Sequence, residues 1–206
     1  MFKINEIFKS IDGEINQWHQ GRTCTFIRFS GCNCLCKWCD TDHSSYKEMS
    51  INEIFDEIDW LGMSKITITG GEPLIHNNLH ILITELVKHY KRVSVETNGT
   101  IEIPENILNN VNWLVDIKLP SSGVKALSIK YYKTLPANVY FKFCIADLKD
   151  YEVAKKYLRQ LAGRTCAFSP IIGQTPNWPT KLAEQIVDDE LDVVYNLQIH
   201  KYLNVK

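Results

Sequence analysis

Four cysteines crowd into residues 31–41, which read GCNCLCKWCDT, and three of them constrain the chain more than any other feature. Cys32, Cys36 and Cys39 follow the spacing C-x3-C-x2-C, and Trp38 directly precedes the last of them. Three thiolates this close in one loop can ligate three irons of a cubane iron–sulfur cluster, which leaves the fourth iron without a protein ligand. An open position at a metal site is a place where a small molecule binds and reacts, so the pattern favours a catalytic centre over a plain electron carrier.

The alternative interpretations of these cysteines are a zinc knuckle or buried free thiols. A structural zinc site takes four ligands, and the candidates for the fourth are Cys34, Cys24 and His43. We expect Cys34 not to be a ligand, because alternation within the loop turns its side chain away from the other three. A disulfide framework is disfavoured, since the chain has seven cysteines, an odd number, and its N-terminus lacks the apolar core of a signal peptide.

Apolar, β-branched runs alternate with helical periodicity along most of the chain. Predicted strands cover 23–29, 65–69, 93–96, 113–118, 139–145, 166–169 and 193–200, and 3–9 is a short strand or turn. Predicted helices cover 50–61, 79–90, 104–109, 126–133, 151–161 and 182–189, the first with a capping box of Ser50 and Glu53. This alternation predicts βα units on a parallel sheet that binds ligands at the carboxyl ends of its strands. Five or six units are too few to close an eight-stranded barrel, so we expect an α/β fold with an open or partial (βα)6-type barrel, in one domain over residues 1–206.

Charge and hydropathy disfavour two classes of partner. The chain has 23 Lys and Arg and 24 Asp and Glu, which gives a formal charge of −1. It therefore lacks the excess of basic residues that would indicate a nucleic-acid partner. No run approaches the roughly 20 apolar residues of a membrane span. With no export sequence visible at the N-terminus, we expect the cytoplasm.

The cysteine loop and one later turn resemble the radical S-adenosylmethionine superfamily. In that superfamily a loop like GCNCLCKWCDT holds a [4Fe–4S] cluster, and a turn like that of ITITGGEPL contacts the methionine part of the cofactor. The resemblance implies that S-adenosylmethionine binds the open iron through its amino and carboxylate groups. Reduction by the cluster then yields a 5′-deoxyadenosyl radical, which takes a hydrogen atom from the substrate while the protein orients the partners.

Five flanking segments narrow the resemblance to the 7-carboxy-7-deazaguanine synthases. These segments are EIFKSIDGE, GRTCTFIRFSGC, WCDT, ETNGT and LQIHKYL. The resemblance implies a lyase of queuosine and 7-deazapurine biosynthesis that converts 6-carboxy-5,6,7,8-tetrahydropterin to 7-carboxy-7-deazaguanine with loss of ammonia. Hydrogen abstraction at C6 and an Mg²⁺-assisted ring contraction are implied with it, and no protein side chain need act as the abstracting base.

Carried over position by position, the resemblance implies roles for most residues around the cluster loop. Thr41 is implied as a ligand of Mg²⁺, and Arg28 as the partner of the substrate carboxylate, to which a guanidinium offers two parallel hydrogen bonds. The other implied substrate contacts are Ile11, Asp12, Gly13, Glu14 and Thr69. The implied S-adenosylmethionine contacts are Trp38, Gly70, Gly71, Glu72, Glu96, Asn98, Asp116, Ile117, Lys118 and Ser169.

The chain departs from the family pattern at two places. Many relatives carry Gln where Asp12 stands, and a carboxylate accepts hydrogen bonds but cannot donate them as an amide does. Asp116 and Ile117 stand where relatives often read Ser-Pro, although Lys118 agrees. Because Asp-x-Lys also occurs in glycyl-radical activating enzymes, such an enzyme is the first alternative. A non-catalytic zinc or iron–sulfur module is the second.

The resemblance also suggests macromolecular partners. A flavodoxin-type protein is implied as the reductant, and the chain is implied to form a homodimer. In this interpretation His200, within LQIHKYL, ties the C-terminal strand to its neighbours or to a second subunit.

Overall fold

The computed structural model describes residues 1–18, 20–173 and 176–205 without the side chains of His200 and Lys201, so the expectation for His200 lies outside it. The strands are β1 (Phe2–Ile11), β2 (Thr23–Phe29), β3 (Lys47–Met49), β4 (Lys65–Gly70), β5 (Arg92–Thr97), β6 (Asn112–Asp116), β7 (Val139–Ile145), β8 (Cys166–Pro170) and β9 (Val194–Tyr195). The helices are α1 (Ile51–Leu61), α2 (Leu79–His89), α3 (Glu105–Leu108), α4 (Ile129–Thr134), α5 (Leu148–Gln160), α6 (Trp178–Asp188) and α7 (Ile199–Leu203). None of these helices is long and apolar enough to cross a membrane.

The strands join one sheet in the order β3-β1-β2-β4-β5-β6-β7-β8-β9. β1 pairs antiparallel with β2 and β3, whereas every neighbouring pair from β2 to β9 is parallel. β3 and β9 form the two edges, so the barrel is open. Six βα units run from β2 to α6, and the predicted α/β fold with an open (βα)6-type barrel is confirmed.

Helix α1 shows how local sequence sets the element boundaries. The Ser50 hydroxyl accepts a hydrogen bond from the N–H of Glu53 at 3.3 Å, and the Glu53 carboxylate accepts one from the N–H of Ser50 at 2.8 Å. Gly62 ends the helix at φ 73°, a left-handed conformation that glycine adopts without strain. Ile54 and Ile58 lie on the face of α1 that is buried. The predicted capping box is therefore confirmed.

Alternation along the parallel strands separates an apolar face from a polar one. One set of alternate residues belongs to the main core, with side chains of the helices: Ile66, Ile68, Val93, Val95, Trp113, Val115, Phe141, Phe143 and Phe168. The intervening residues include Lys65, Thr67, Thr69, Ser94, Glu96, Asp116 and Lys142, and successive side chains of a strand point to opposite faces. The open barrel thus has a polar inner face on which charged groups are held at fixed positions.

The last predicted strand, 193–200, is wrong. β9 has only two residues, and α7 follows it. Asn196 ends the ladder, since its N–H donates to the Phe168 carbonyl at 2.9 Å while its side chain turns inward to Glu14 at 2.9 Å. A buried tertiary contact therefore overrides the local β-propensity of this segment.

Two helices begin earlier than predicted. α5 begins at Leu148 because the Asp147 carboxylate accepts a hydrogen bond from the N–H of Asp150 at 2.8 Å and caps the helix. α6 begins at Trp178, whose buried indole N–H donates to the Ile145 carbonyl at 2.7 Å. Both starts depend on a contact that periodicity alone does not reveal.

Candidate active site

Two adjoining cavities lie at the carboxyl ends of the parallel strands, where this fold class binds ligands. The cysteine cavity, of about 250 Å³, is lined by the cluster-loop cysteines. The arginine cavity, of about 360 Å³, is lined by Arg28 and by residues of β1. Both cavities share the wall residues Asp40, Thr41, Thr69, Gly70, Glu96, Lys142 and Gln198. Molecules bound in the two cavities would therefore be in contact.

Most of the predicted site residues meet at these two cavities. Those in the cysteine cavity alone are Cys32, Cys36, Trp38, Cys39, Gly71, Asn98, Asp116 and Lys118. Those in the arginine cavity alone are Ile11, Gly13, Glu14 and Arg28. Thr41, Thr69, Gly70 and Glu96 border both.

The cluster loop is clamped against the end of β4 by close backbone contact. A Cβ atom on Gly71 would lie 1.9 Å from the carbonyl oxygen of Gly31, and one on Gly70 would lie 2.3 Å from that of Phe29. Gly70 also has φ 148°, a conformation that side chains disfavour. The N–H of Glu72 donates to the same Gly31 carbonyl at 2.9 Å. The two glycines are therefore required so that the turn and the cluster loop can approach.

The three cysteines suit a cubane better than a single metal ion. Cys32, Cys36 and Cys39 are free thiols on the wall of one cavity. Within residues 1–18, 20–173 and 176–205, no three His, Cys, Asp or Glu side chains converge on one metal position. In a cubane each thiolate binds a different iron, so the three sulfurs need not converge on one point.

Cys34 does not turn away from the other cysteines as expected. It is buried, and its sulfur lies on the wall of the same cavity, 3.3 Å from Nδ2 of Asn98 and 3.7 Å from Oγ1 of Thr100. Asn98 Nδ2 also lies 3.6 Å from the sulfur of Cys32 and donates to Asn33 at 2.9 Å. The Asn98 amide thus holds the cluster loop from the β5 end, and the expectation that Cys34 is not a ligand stays a prediction.

A second group of side chains in the cysteine cavity offers polar atoms to a cofactor. Lys118 Nζ lies 2.8 Å from Asp116 Oδ2 and 5.2 Å from the centre of the Trp38 ring. Although burial opposes it, the adjacent Asp116 raises the pKa of Lys118, so this lysine stays charged. Asp116 Oδ1 is buried and has no hydrogen-bond partner among the residues described. An unpaired buried oxygen on a cavity wall suits a ligand that donates a hydrogen bond.

The arginine cavity combines the guanidinium of Arg28 with an aromatic wall. Nε of Arg28 donates to Glu6 Oε1 at 3.0 Å, and no protein partner of its two terminal nitrogens is found in the described part of the chain. Phe8 and Phe26 stack at 5.1 Å between ring centres, and the guanidinium lies 5.3 Å from the centre of the Phe8 ring. The cavity therefore suits a small planar molecule that carries an anionic group.

Glu96 stands between the cavities, and its carboxyl has a raised pKa. Its Oε2 accepts a hydrogen bond from Thr69 Oγ1 at 2.8 Å. Burial, followed by the nearby carboxylates of Glu14 and Asp12, raises its pKa from 4.5 to about 7. A carboxyl with such a pKa exchanges a proton near neutral pH, which is a property typical of functional sites.

Oxygen donors for a hard cation lie where the cavities meet. Thr41 borders both cavities and its hydroxyl lies 3.4 Å from the Asp40 carboxylate. Mg²⁺ prefers oxygen ligands and usually keeps several waters, so one hydroxyl with a neighbouring carboxylate fits an ion held largely by substrate and water.

Four predicted contacts are absent from the cavity walls: Asp12, Glu72, Ile117 and Ser169. Asp12 is 1% exposed and pairs with Lys65 behind the wall. The Glu72 carboxylate accepts hydrogen bonds from the N–H groups of Leu74 and Asn98, so it joins two turns. The other two departures have simpler causes, because Ile117 belongs to the apolar core and Ser169 is a buried strand residue of β8.

Several wall residues were not predicted. Lys142, Cys144, Ile171, Ile172 and Leu114 line the cysteine cavity, and Phe8 and Phe26 line the other. Lys142 could have been found, because it is a lone charge within the apolar strand VYFKFCI and must therefore have a buried partner. The aromatic and aliphatic wall residues look like ordinary core in the sequence, and nothing local distinguishes them.

Comparison with known proteins agrees with this geometry. The family model of the radical SAM superfamily matches residues 26–127. The 7-carboxy-7-deazaguanine synthases of Chlorobaculum tepidum and Koribacter versatilis are 34% and 33% identical to the chain; the alignments cover 97% and 98% of this chain and 93% and 96% of the relatives.

Solved structures give the same result. The crystal structure of QueE from Escherichia coli is 26% identical, with a TM-score of 0.70 over 95% of this chain and 92% of that chain. The structure of Streptococcus suis SuiB bound to S-adenosylmethionine shares the fold alone, at 12% identity and a TM-score of 0.57, over 81% of this chain and 44% of that chain. Fold, site and full-length relatives agree, and the chain belongs to the 7-carboxy-7-deazaguanine synthase family of the radical S-adenosylmethionine superfamily.

Proposed function

We propose that this chain is an enzyme that converts 6-carboxy-5,6,7,8-tetrahydropterin to 7-carboxy-7-deazaguanine with loss of ammonia. The observation that carries the proposal is that the two cavities share a wall. Thr41, Thr69 and Glu96 belong to this wall and border both cavities. A radical source and a small substrate must be in contact for hydrogen transfer, and adjoining cavities supply that contact. The names of the relatives, which align over nearly their whole length, supply the product, 7-carboxy-7-deazaguanine.

The cysteine cavity is the proposed cofactor site. Membership of the superfamily implies a [4Fe–4S] cluster and S-adenosylmethionine, and Cys32, Cys36 and Cys39 would hold the cluster. When bound, these cofactors together supply a carbon-centred radical that removes a hydrogen atom from the substrate. Asp116 Oδ1 is positioned to accept a hydrogen bond from the cofactor, and Trp38 offers it an aromatic face.

The arginine cavity is the proposed substrate site. The two terminal nitrogens of Arg28 would bind the substrate carboxylate, and the Thr41 hydroxyl would supply an oxygen ligand to an Mg²⁺ ion, which would stabilise negative charge on the substrate. Glu14 also borders this cavity and would present its carboxylate to the hydrogen-bond donors of the pterin ring. The volume of the cavity, about 360 Å³, suits one small ring system.

Glu96 is positioned to contact both ligands. It is the one acidic side chain besides Asp40 that borders both cavities within the described residues, and the Thr69 hydroxyl donates to its Oε2 at 2.8 Å. With a pKa of about 7, Oε1 or Oε2 can hold a proton at neutral pH and donate a hydrogen bond. Loss of ammonia requires proton movement, and Glu96 is the proposed place for it.

The test is an anaerobic incubation of the reduced, reconstituted protein with S-adenosylmethionine, Mg²⁺ and the carboxylated tetrahydropterin. We expect 5′-deoxyadenosine together with a deazapurine carboxylate and ammonia. Formation of 5′-deoxyadenosine without the deazapurine would refute the substrate assignment. A colourless protein that holds stoichiometric zinc and cannot be reconstituted with iron and sulfide would refute the radical enzyme altogether.

Four further proposals accompany this function. A flavodoxin-type reductant and a homodimer follow from the resemblance. A cytoplasmic location fits the seven free cysteines, which persist in reducing compartments. Residues 1–206 are proposed to form a single domain, since the strands of the described part all join one sheet.

A further inference from the structure

Two lysines on the inner face of the sheet each form a buried ion pair with one short segment, residues 12–16. Lys65, the first residue of β4, pairs with Asp12, and their side chains are 2% and 1% exposed. Lys142, in the middle of β7, pairs with Glu14 at 2.8 Å, with exposures of 10% and 9%. Buried charges persist only when they are paired, so both contacts are integral to the fold.

The two pairs anchor the 12–16 segment across the inside of the open barrel. β5 and β6 lie between β4 and β7, so about 14 Å of sheet separates the anchoring strands. The Cα atoms of Asp12 and Glu14 can be at most about 7 Å apart. The long lysine side chains and the curvature of the sheet close the difference, and the segment bridges strands that do not touch each other.

Additional hydrogen bonds fix the segment at both sides. Thr67 Oγ1 donates to Asp12 Oδ2 at 3.3 Å, on the β4 side. Asn196 Nδ2 donates to Glu14 Oε2 at 2.9 Å, on the far side of β7. Within the segment, the N–H of Glu14 donates to Asp12 Oδ1 at 3.0 Å. The backbone between the two carboxylates is therefore held from β4, from β7 and from Asn196, which follows β9.

This backbone is one wall of the arginine cavity. Ile11, Gly13 and Glu14 border the cavity, whereas Asp12 lies behind them. We propose that Lys65 and Lys142 are positioning residues that hold the 12–16 segment as the wall of the substrate cavity. Lys65 acts through Asp12 and determines where the backbone of Gly13 lies. Lys142 acts through Glu14 and determines where that carboxylate points.

The charge balance on the inner face of the sheet explains why these positions are lysines rather than neutral residues. Glu14 and Glu96 act on one another through space, and Lys142 offsets that repulsion. Without Lys142, two carboxylates would share the inner face with too little positive charge, and Glu14 would turn away. That change alters the hydrogen bonds that Glu14 offers to a ring N–H. The inference rests on the proposed function only for the identity of the ligand.

The test compares four variants of the reconstituted holoenzyme. Lys65→Met and Lys142→Met each break one pair, and Asp12→Asn/Lys65→Met replaces one pair by neutral groups of similar shape. Lys155→Met is the matched control, because Lys155 pairs with Asp189 at 2.8 Å on the surface. We expect KM for the pterin to rise by about tenfold or more in the two single variants, with kcat within about threefold. The double variant should recover most of the loss, and the control should match wild type.

A second readout does not depend on turnover. In hydrogen exchange, the amide of Glu14 should lose about tenfold or more of its protection in Lys65→Met, while the amides of α1 keep theirs. Should wild type release no deazapurine, the proposed function fails, and this readout alone decides the inference. A loss of exchange protection confined to residues 12–16 supports the inference.

Three results would overturn the inference. One is an unchanged KM in both single variants. Another is a rise in KM that is accompanied by loss of S-adenosylmethionine binding or by loss of exchange protection throughout the chain. Such a result would mean general damage to the fold. The third is a double variant as impaired as Lys65→Met, which would show that the ion pair is not what positions the segment.

Discussion

Replacement of Glu96 by Gln should change how the stability of this protein depends on pH. Glu96 is partly buried on the inner face of the sheet, and burial together with Glu14 and Asp12 raises its pKa from 4.5 to about 7. The folded chain thus binds this proton more tightly than the unfolded chain does. Stability from this group is therefore fully present below pH 4.5 and is lost progressively as the pH rises to about 7.

The size of the effect follows from the same interval. A rise from 4.5 to about 7, at about 1.4 kcal/mol per pH unit, corresponds to roughly 3 kcal/mol between acidic and mildly basic pH. Gln has the shape of Glu and its carbonyl oxygen accepts the hydrogen bond of Thr69, but it does not ionise. Relative to wild type, Glu96→Gln should be about equally stable near pH 4.5 and more stable above pH 7.

Urea unfolding of the cluster-free protein at several pH values between 4.5 and 8 measures this difference. Glu57→Gln, on an exposed face of α1, is the matched control and should leave the pH dependence unchanged. The reasoning is refuted if the free energies of unfolding of wild type and Glu96→Gln change with pH in the same way. It is also refuted if wild type becomes more stable relative to the variant as the pH rises. The same substitution should also affect the activity of the holoenzyme. Glu96→Gln should lower deazapurine formation more than 5′-deoxyadenosine formation.

Three other predictions concern the cluster, the substrate cavity and a helix cap. Cys34→Ala should keep the iron–sulfur absorption after reconstitution, whereas Cys36→Ala should lose it; loss in both variants would mean that the ligands are misassigned. Arg28→Met should raise KM for the pterin by about ten- to a hundredfold, since a hydrogen bond to a charged group contributes about 1.5–3 kcal/mol, and an unchanged KM would remove Arg28 from the carboxylate site. Ser50→Ala should lower the free energy of unfolding by about 1 kcal/mol in urea titrations without altering iron content, and no change would show that the capping box contributes nothing.

The order of the elements could be predicted because it depends on local patterns. The helical period of α1 and the capping box at Ser50 are readable within one window of sequence. The strand bounds 139–145 match β7, because β-branched and aromatic residues fill that stretch. The end of β9 could not be predicted, since Asn196 leaves the ladder for a partner that is 182 residues away, Glu14.

The candidate site divides in the same way. The cysteine spacing and the paired glycines predicted where the cysteine cavity lies. The structure explains Gly71, because a Cβ atom added at that position would lie 1.9 Å from the carbonyl oxygen of Gly31. Asp12 was expected to touch the substrate, but it lies behind the wall with Lys65. Glu72 was expected to touch the cofactor, but its carboxylate joins two turns. In both cases the structure directs the carboxylate to protein partners that local sequence does not reveal.

The sequence by itself therefore determined the architecture, the cluster loop and the family, because each depends on residues close together in the chain. Only the tertiary structure decided which carboxylates line a cavity. Asp12 finds Lys65 at a separation of 53 residues, and Glu14 finds Lys142 at a separation of 128. Two acidic residues that are neighbours in one loop thus acquire different roles, because a buried charge goes where its partner is, and the partner is placed by the curvature of the sheet.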